Sequence, residues 1–116
     1  MSITAGLEAE EVARDYLKAQ GMKWVESNYR CRLGEIDLIM RDGEYLVFVE
    51  VRARSSSSHG GALESITYHK QQKLLRTASL YLLIHKLHDK IPIRFDVVSI
   101  EGKDQQLTWI KNAFTG

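Results

Sequence analysis

The sequence predicts an α/β fold with a mixed central sheet flanked by helices. Three observations carry this expectation. Two stretches space their apolar residues at helical period. Two runs rich in Ile, Leu, Val and Phe flank Asp42-Gly43, a strong short-range hairpin signal. Two further strand-like runs follow the second helical stretch. A chain of 116 residues is expected to form one core and one domain, 1–116.

The first helix is expected over residues 4–20, with Ala9, Ala13, Tyr16 and Leu17 on one stripe. Glu8, Glu10 and Glu11 crowd its first turns, where the helix dipole favours negative charge. Gly21 is its expected stop. Residues 22–30, containing Trp24, read as a strand, and 33–41 with 44–54 form the hairpin. Residues 55–61, SSSSHGG, read as a flexible loop. A long helix is expected over 67–87, burying Leu74, Leu75, Ala78, Tyr81 and Leu82, with Pro92 beyond its end. Strands over 93–100 and 105–110, around the turn EGKD, complete the order α-β-β-β-α-β-β. No internal repeat is present.

Composition narrows the function classes. Hydrophobic content of 44% with 27% charged residues describes a folded chain rather than a disordered one. No apolar run approaches the length of a membrane span. The amino-terminal stretch is acidic and amphipathic, unlike a signal peptide. The single cysteine, Cys31, excludes an internal disulfide and a cysteine-based zinc cluster, so a cytoplasmic protein without a membrane partner is expected. The formal net charge of +1 means that any nucleic-acid binding would depend on a local basic patch.

The hairpin carries charge where strands are otherwise apolar: Glu35, Asp37, Glu50 and Arg52. With Asp42-Gly43 as the two loop residues, Asp37 would face Phe48 and Glu35 would face Glu50. Side-chain alternation then puts all four charges on one side. Asp37 would be diagonal to Glu50, with backbones about 7–8 Å apart. Such a gap suits a divalent cation between carboxylates, and all-oxygen donors suit Mg²⁺ or Mn²⁺ better than zinc. Like charges opposite one another destabilise a sheet, so Glu35 facing Glu50 would call for a cation or Arg52 in compensation. The competing reading is an ordinary solvated face. Ile39, Leu46 and Phe48 on the same side favour a cleft.

These residues resemble the PD-(D/E)xK nuclease core: an acid on one strand, a turn, then Glu/Asp-x-Lys on the next. Asp37 matches the first acid and Glu50-Val51-Arg52 the second element. More narrowly, GEIDLI, VFVEVRAR, RFDVV and the carboxy-terminal NAF resemble the bacterial YraN-like family, across nearly the whole chain. That family is related in fold to archaeal Holliday-junction resolvases.

The resemblance implies a restriction-endonuclease-like αβββαβ core and metal ligation by Asp37, Glu50 and the Val51 carbonyl. It implies a further role for Glu10, which stands in a matching Gly-x-x-x-Glu-x-x-Ala start; the alternative is a surface Glu placed by the dipole. Glu35 would be an outer-shell partner or a second ligand. The departure is Arg52, where most of these nucleases carry Lys. An arginine stays protonated and cannot act as a general base, but it can orient water and stabilise phosphate charge.

Other features are less specific. Lys70, Lys73 and Arg76 share a helix face, and the first two sit near the helix start, where phosphate contact would explain positive charge. The commoner alternative is a solvated face; the resemblance includes a Lys at 70. Gln71 or Gln72 could reach the site. Arg54 shares the strand face of Arg52 and could touch phosphate. His85 and His88 have a zinc-compatible spacing without an evident third ligand. Trp24, Phe95, Trp109 and Phe114 read as core rather than stacking residues, and Asp96 as a buried partner for Arg94. Asn112-Ala113-Phe114 reads as a packing or interface element.

The leading expectation is therefore a Mg²⁺- or Mn²⁺-dependent endonuclease acting on DNA, on branched or recombining substrates. Cutting both strands of a junction would favour a homodimer. The alternative is a nuclease-like DNA-binding module without catalysis that recruits a DNA-processing protein. A plain interaction protein ranks last, since it leaves the carboxylates without a purpose.

Overall fold

A computed structural model describes residues 2–54 and 66–115, with side chains from Glu8 onward. The SSSSHGG stretch lies outside the described residues. The elements are α1 (Ser2–Ala19), β1 (Lys23–Cys31), β2 (Gly34–Asp42), β3 (Tyr45–Arg54), α2 (Tyr68–Ile84), β4 (Ile93–Glu101) and β5 (Gln106–Ile110). They form an α/β fold: one five-stranded sheet in the order β1-β2-β3-β4-β5, with two helices. The sheet is mixed. β3 and β4 run parallel across the α2 crossover, and the other neighbours are antiparallel.

The sheet separates two cores. Ala9, Ala13 and Leu17 of α1 pack on Leu38, Met40, Val47, Val49, Val98 and Ile100. Leu74, Ala78, Tyr81 and Leu82 of α2 pack with Ile36, Ile39, Leu46, Phe48, Phe95 and Val97. Strand β3 is central, so both of its faces are apolar over residues 46–49.

Both helix ends show why they stop. At Gly21, φ is 101°, and Met22 N–H donates to the Leu17 carbonyl, closing a Schellman turn as expected. Helix α2 ends earlier than expected. His85 is its C-cap, Lys86 adopts φ 59°, and Leu87 N–H donates to the Leu82 carbonyl. This is the same turn with Lys in the position that glycine usually holds, so residues 85–87 carried no visible stop signal. Helix α1 begins at Ser2 and has no acid in its first turn. The dipole therefore does not explain Glu8, Glu10 and Glu11.

The hairpin turn is shifted from the expected register. Asp42 pairs with Tyr45, leaving Gly43 and Glu44 as the loop residues, with Gly43 at φ 60°. Ile39 therefore faces Phe48 rather than Leu46. Asp42 stays in the strand because its carboxylate takes an ion pair from Arg94 at 2.9 Å. The expected opposition of Glu35 to Glu50 does not occur. Glu35 pairs across the sheet with Arg30, which also bonds its carboxylate at 3.0 Å.

Candidate functional site

Asp37 stands where β2 leaves β3. The two strands pair from Asp42↔Tyr45 to Leu38↔Val49 and no further, while β3 continues against β4 to Arg54. Alternation in β2 is broken at the same point. Ile36 and Ile39 join the α2-side core, whereas Leu38 and Met40 join the α1-side core. Where β2 departs, the Val51 amide has no strand partner on that side, and the Asp37 Oδ2 accepts its hydrogen at 2.9 Å. The Asp37 carboxylate thus replaces a backbone carbonyl and is held at the mouth of the split.

Glu50, the residue before Val51, hydrogen-bonds the Asp37 carboxylate, and Glu10 reaches it from α1. All three acids are pushed above the ordinary carboxylate range. Burial is the main cause for each, and the carboxylates repel one another. Glu50 is raised to about 8, because burial and the Asp37 charge outweigh the lowering by Arg52 and Lys70. The Val51 amide, Glu50 and Glu10 act to lower Asp37, but burial outweighs them. Asn28 of β1, between the Ser27↔Leu38 and Tyr29↔Ile36 pairs, has φ 55°, and its side chain acts to lower Glu10.

Two buried polar atoms here have no hydrogen-bond partner: Glu10 Oε1 and Arg52 Nε. The Arg52 guanidinium stands 3.8 Å from the Glu50 carboxylate. A buried carboxylate oxygen without a donor is costly, and a hard cation would satisfy it. Among the described residues, no three His, Cys, Asp or Glu side chains are set to enclose an ion. Such an open, all-oxygen set could hold Mg²⁺ or Mn²⁺, since Mg²⁺ commonly uses one or two carboxylates and keeps several waters.

On the α2 side, a cavity of about 410 Å³ opens onto Asp37 and Glu50, with Arg30, Lys70 and Lys73 around it. Lys70 lies in the first turn of α2, its amide capped by the Thr67 hydroxyl at 3.2 Å. Gly34 permits this packing: a Cβ there would meet the Thr77 Oγ1 at 2.8 Å. On the α1 side, a smaller hollow of about 270 Å³ is lined by Glu10, Asp37, Val51 and Arg52. Asp37 therefore faces both hollows. One is rimmed by cations and the other is acidic with one arginine.

The sequence profile of "Uncharacterised protein family UPF0102" matches residues 9–100. A UPF0102 protein of Legionella pneumophila is 56% identical over 114 residues, 98% of this chain and 97% of its own length. Another from Nitrosomonas europaea is 51% identical, over 94% and 92%. One from Alkalilimnicola ehrlichii is 49% identical, over 97% and 88%. The chain belongs to the UPF0102 family. That membership agrees with the YraN-like resemblance.

Several expected residues of this UPF0102 chain lie elsewhere. Arg54 bonds Glu101 at 3.2 Å, away from Asp37. The Gln71 amide donates to the Ile66 carbonyl at 3.1 Å and does not line the cavity. His85 stacks on Tyr81 and hydrogen-bonds its carbonyl, with no metal cluster among the described residues. Asp96 is fully buried and holds Arg94, as expected, and also accepts from Trp109 Nε1 and the Asn112 amide. Phe95 is core, and Phe114 stacks on it with centroids 5.1 Å apart. Trp24 is the correction: it is 47% exposed. A bulge between Trp24 and Glu26 inserts Val25 and turns both residues outward. Cys31, Arg30 and Asn28 are site residues that no sequence motif singled out.

Proposed function

We propose that this protein is a metal-dependent endonuclease of restriction-endonuclease-like type, hydrolysing phosphodiester bonds in DNA. The observation that carries the reading is the crowding of Glu10, Asp37 and Glu50 at the β2–β3 split, all held above the ordinary carboxylate range. Crowding three partly buried acids together destabilises a small fold unless a cation joins them. Asp37, Glu50 and the Val51 carbonyl would hold Mg²⁺ or Mn²⁺, with Glu10 beside them. Such a cation supplies Lewis acidity to a phosphodiester and acidifies water.

The chain's own groups account for the rest. Arg52 orients water and stabilises developing phosphate charge, and its unpartnered Nε is a free donor for that purpose. Lys70, Lys73 and Arg30 rim the cavity and would position the backbone by phosphate contacts. Glu35, held by Arg30, sets that arginine as an outer partner. Branched DNA is the proposed substrate.

A second reading has its own observation. Arg52 stands where a lysine would allow proton transfer, and it is drawn towards Glu50. In that reading the chain binds DNA without cutting it and recruits a processing partner.

One experiment separates them. Labelled four-way junction, flap, single strand and duplex are incubated with Mg²⁺, Mn²⁺ or EDTA. Metal-dependent cutting that is lost in an Asp37→Asn, Glu50→Gln double variant is the expected result. Binding by the parent without cutting under any metal would replace the nuclease reading with the second.

A further inference from the structure

Trp24 is the feature the proposed chemistry leaves unused. It is a large aromatic side chain held at the surface rather than in either core, on an edge strand bulged at Val25. Its orientation is set. The indole Nε1 donates to Ser27 Oγ at 2.9 Å, and the Arg14 guanidinium lies 5.2 Å from the ring centroid. A hollow of about 260 Å³ contains Trp24, Arg14, Ser27 and Asn28 together with Glu10 and Glu11. Glu10 also lines the hollow that holds Asp37 and Arg52, so the two hollows share a wall.

The chemistry of this hollow selects its occupant. Two carboxylates disfavour a phosphate. The same carboxylates and the Asn28 amide can hydrogen-bond the edge of a base, including an exocyclic amino group. An indole fixed in orientation and backed by a guanidinium is a stacking surface for any base. A base stacked within a duplex is not available to such a surface, whereas one in a single strand, loop or end is.

We infer that Trp24 and Arg14 form a stacking platform for an unpaired nucleobase, adjoining the Asp37 site. The inference deepens the nuclease reading and rests on it for the identity of the neighbouring phosphate. It restricts the substrate to DNA with unpaired nucleotides next to the scissile position. Phosphates lie along the cationic side of Asp37, and the base turns towards α1.

The test measures binding in EDTA, so cleavage does not enter it. A labelled single-stranded oligonucleotide and a blunt duplex are titrated against the parent, Trp24→Ala and Trp24→Phe, with indole fluorescence recorded. The expected result is quenching of the parent by the single strand, about a tenfold weaker affinity in Trp24→Ala and near-parental affinity in Trp24→Phe. Equal affinity of Trp24→Ala and parent, or no single-strand binding by the parent, would overturn it. So would an equal loss on the blunt duplex, or self-association that vanishes in Trp24→Ala while strand binding stays constant. The last outcome would make Trp24 a protein contact. A parent that never cleaves with any metal, yet binds through Trp24, removes the nuclease reading and leaves the platform standing.

Discussion

The Val51 amide donates to Asp37 Oδ2 across 2.9 Å, and this bond spans the gap where β2 parts from β3. One carboxylate therefore has two tasks. It completes the hydrogen bonding of the central strand, and it faces Glu50 and Glu10 at the mouth of the split. The two tasks can be separated by substitution.

Asp37→Asn keeps an oxygen acceptor for Val51 N–H, whereas Asp37→Ala leaves that amide unsatisfied. An orphaned buried donor costs about 1–3 kcal/mol. Asp37→Ala is thus expected to melt below Asp37→Asn. Both should lose metal-dependent cleavage by more than the about 10–100-fold that an outer-shell loss costs. Chemical denaturation beside the cleavage assay checks this. Equal stability of the two variants would remove the strand-capping task.

The acid cluster gives the metal-free protein a pH dependence of definite sign. Glu50 is raised from 4.5 to about 8, so between those values the folded state keeps a proton the unfolded chain has lost. Stability then falls as pH rises through that window and levels off above it. Glu10 and Asp37 are raised too and act in the same direction. Thermal melts in EDTA should fall from pH 5 to pH 8.5, and Glu50→Gln should flatten the decline. A melt that rises over this range would refute the shift.

Metal addition should act most strongly where the fold is weakest. Ligands must be deprotonated, so binding releases protons and tightens with pH. Mn²⁺ is expected to raise the melting temperature more at pH 8.5 than at pH 6, and Glu50→Gln to abolish most of the rise. Titration calorimetry in two buffers of different ionisation enthalpy would detect the proton release. A stabilisation independent of pH would place the cation away from Glu50.

Gly34 and Thr77 should show coupling. A Cβ at Gly34 would lie 2.8 Å from Thr77 Oγ1, whose hydroxyl donates to the Lys73 carbonyl at 2.8 Å. Gly34→Ala is expected to cost about 1–3 kcal/mol as overpacking. Adding Thr77→Ala should recover part of that loss in a double-mutant cycle. Additive effects would mean that the backbone at Gly34, rather than the contact, sets the cost.

Asp96→Ala should be the most damaging substitution away from the candidate site. It strips Arg94, Trp109 and the Asn112 amide of one shared acceptor. Breaking a buried ion pair from one side costs about 3–5 kcal/mol. The lower end is expected because Asp42 still holds Arg94 at 2.9 Å. Urea denaturation provides the measurement, and a loss below about 1 kcal/mol would show that Asp42 alone suffices.

The order of elements, the α/β class, the hairpin and the acids of GEIDLI and VFVEVR were legible in the amino-acid sequence, because apolar period and turn chemistry are local properties. The Gly21 stop and the Asp96–Arg94 pair were legible for the same reason. The tertiary structure decided the rest. An ion pair between Asp42 and Arg94, 52 residues apart in number, keeps Asp42 in β2 and moves the turn to Gly43-Glu44. That shift removes Glu35 from Glu50 and brings Asp37 to the split. Lys86 ends α2 in a conformation its residue type does not announce. The bulge at Val25 turns Trp24 outward, although its hydrophobicity alone pointed inward. Register, bulges and the meeting of Glu10 with Asp37 depend on contacts between segments distant in the chain, and a local pattern carries no record of them.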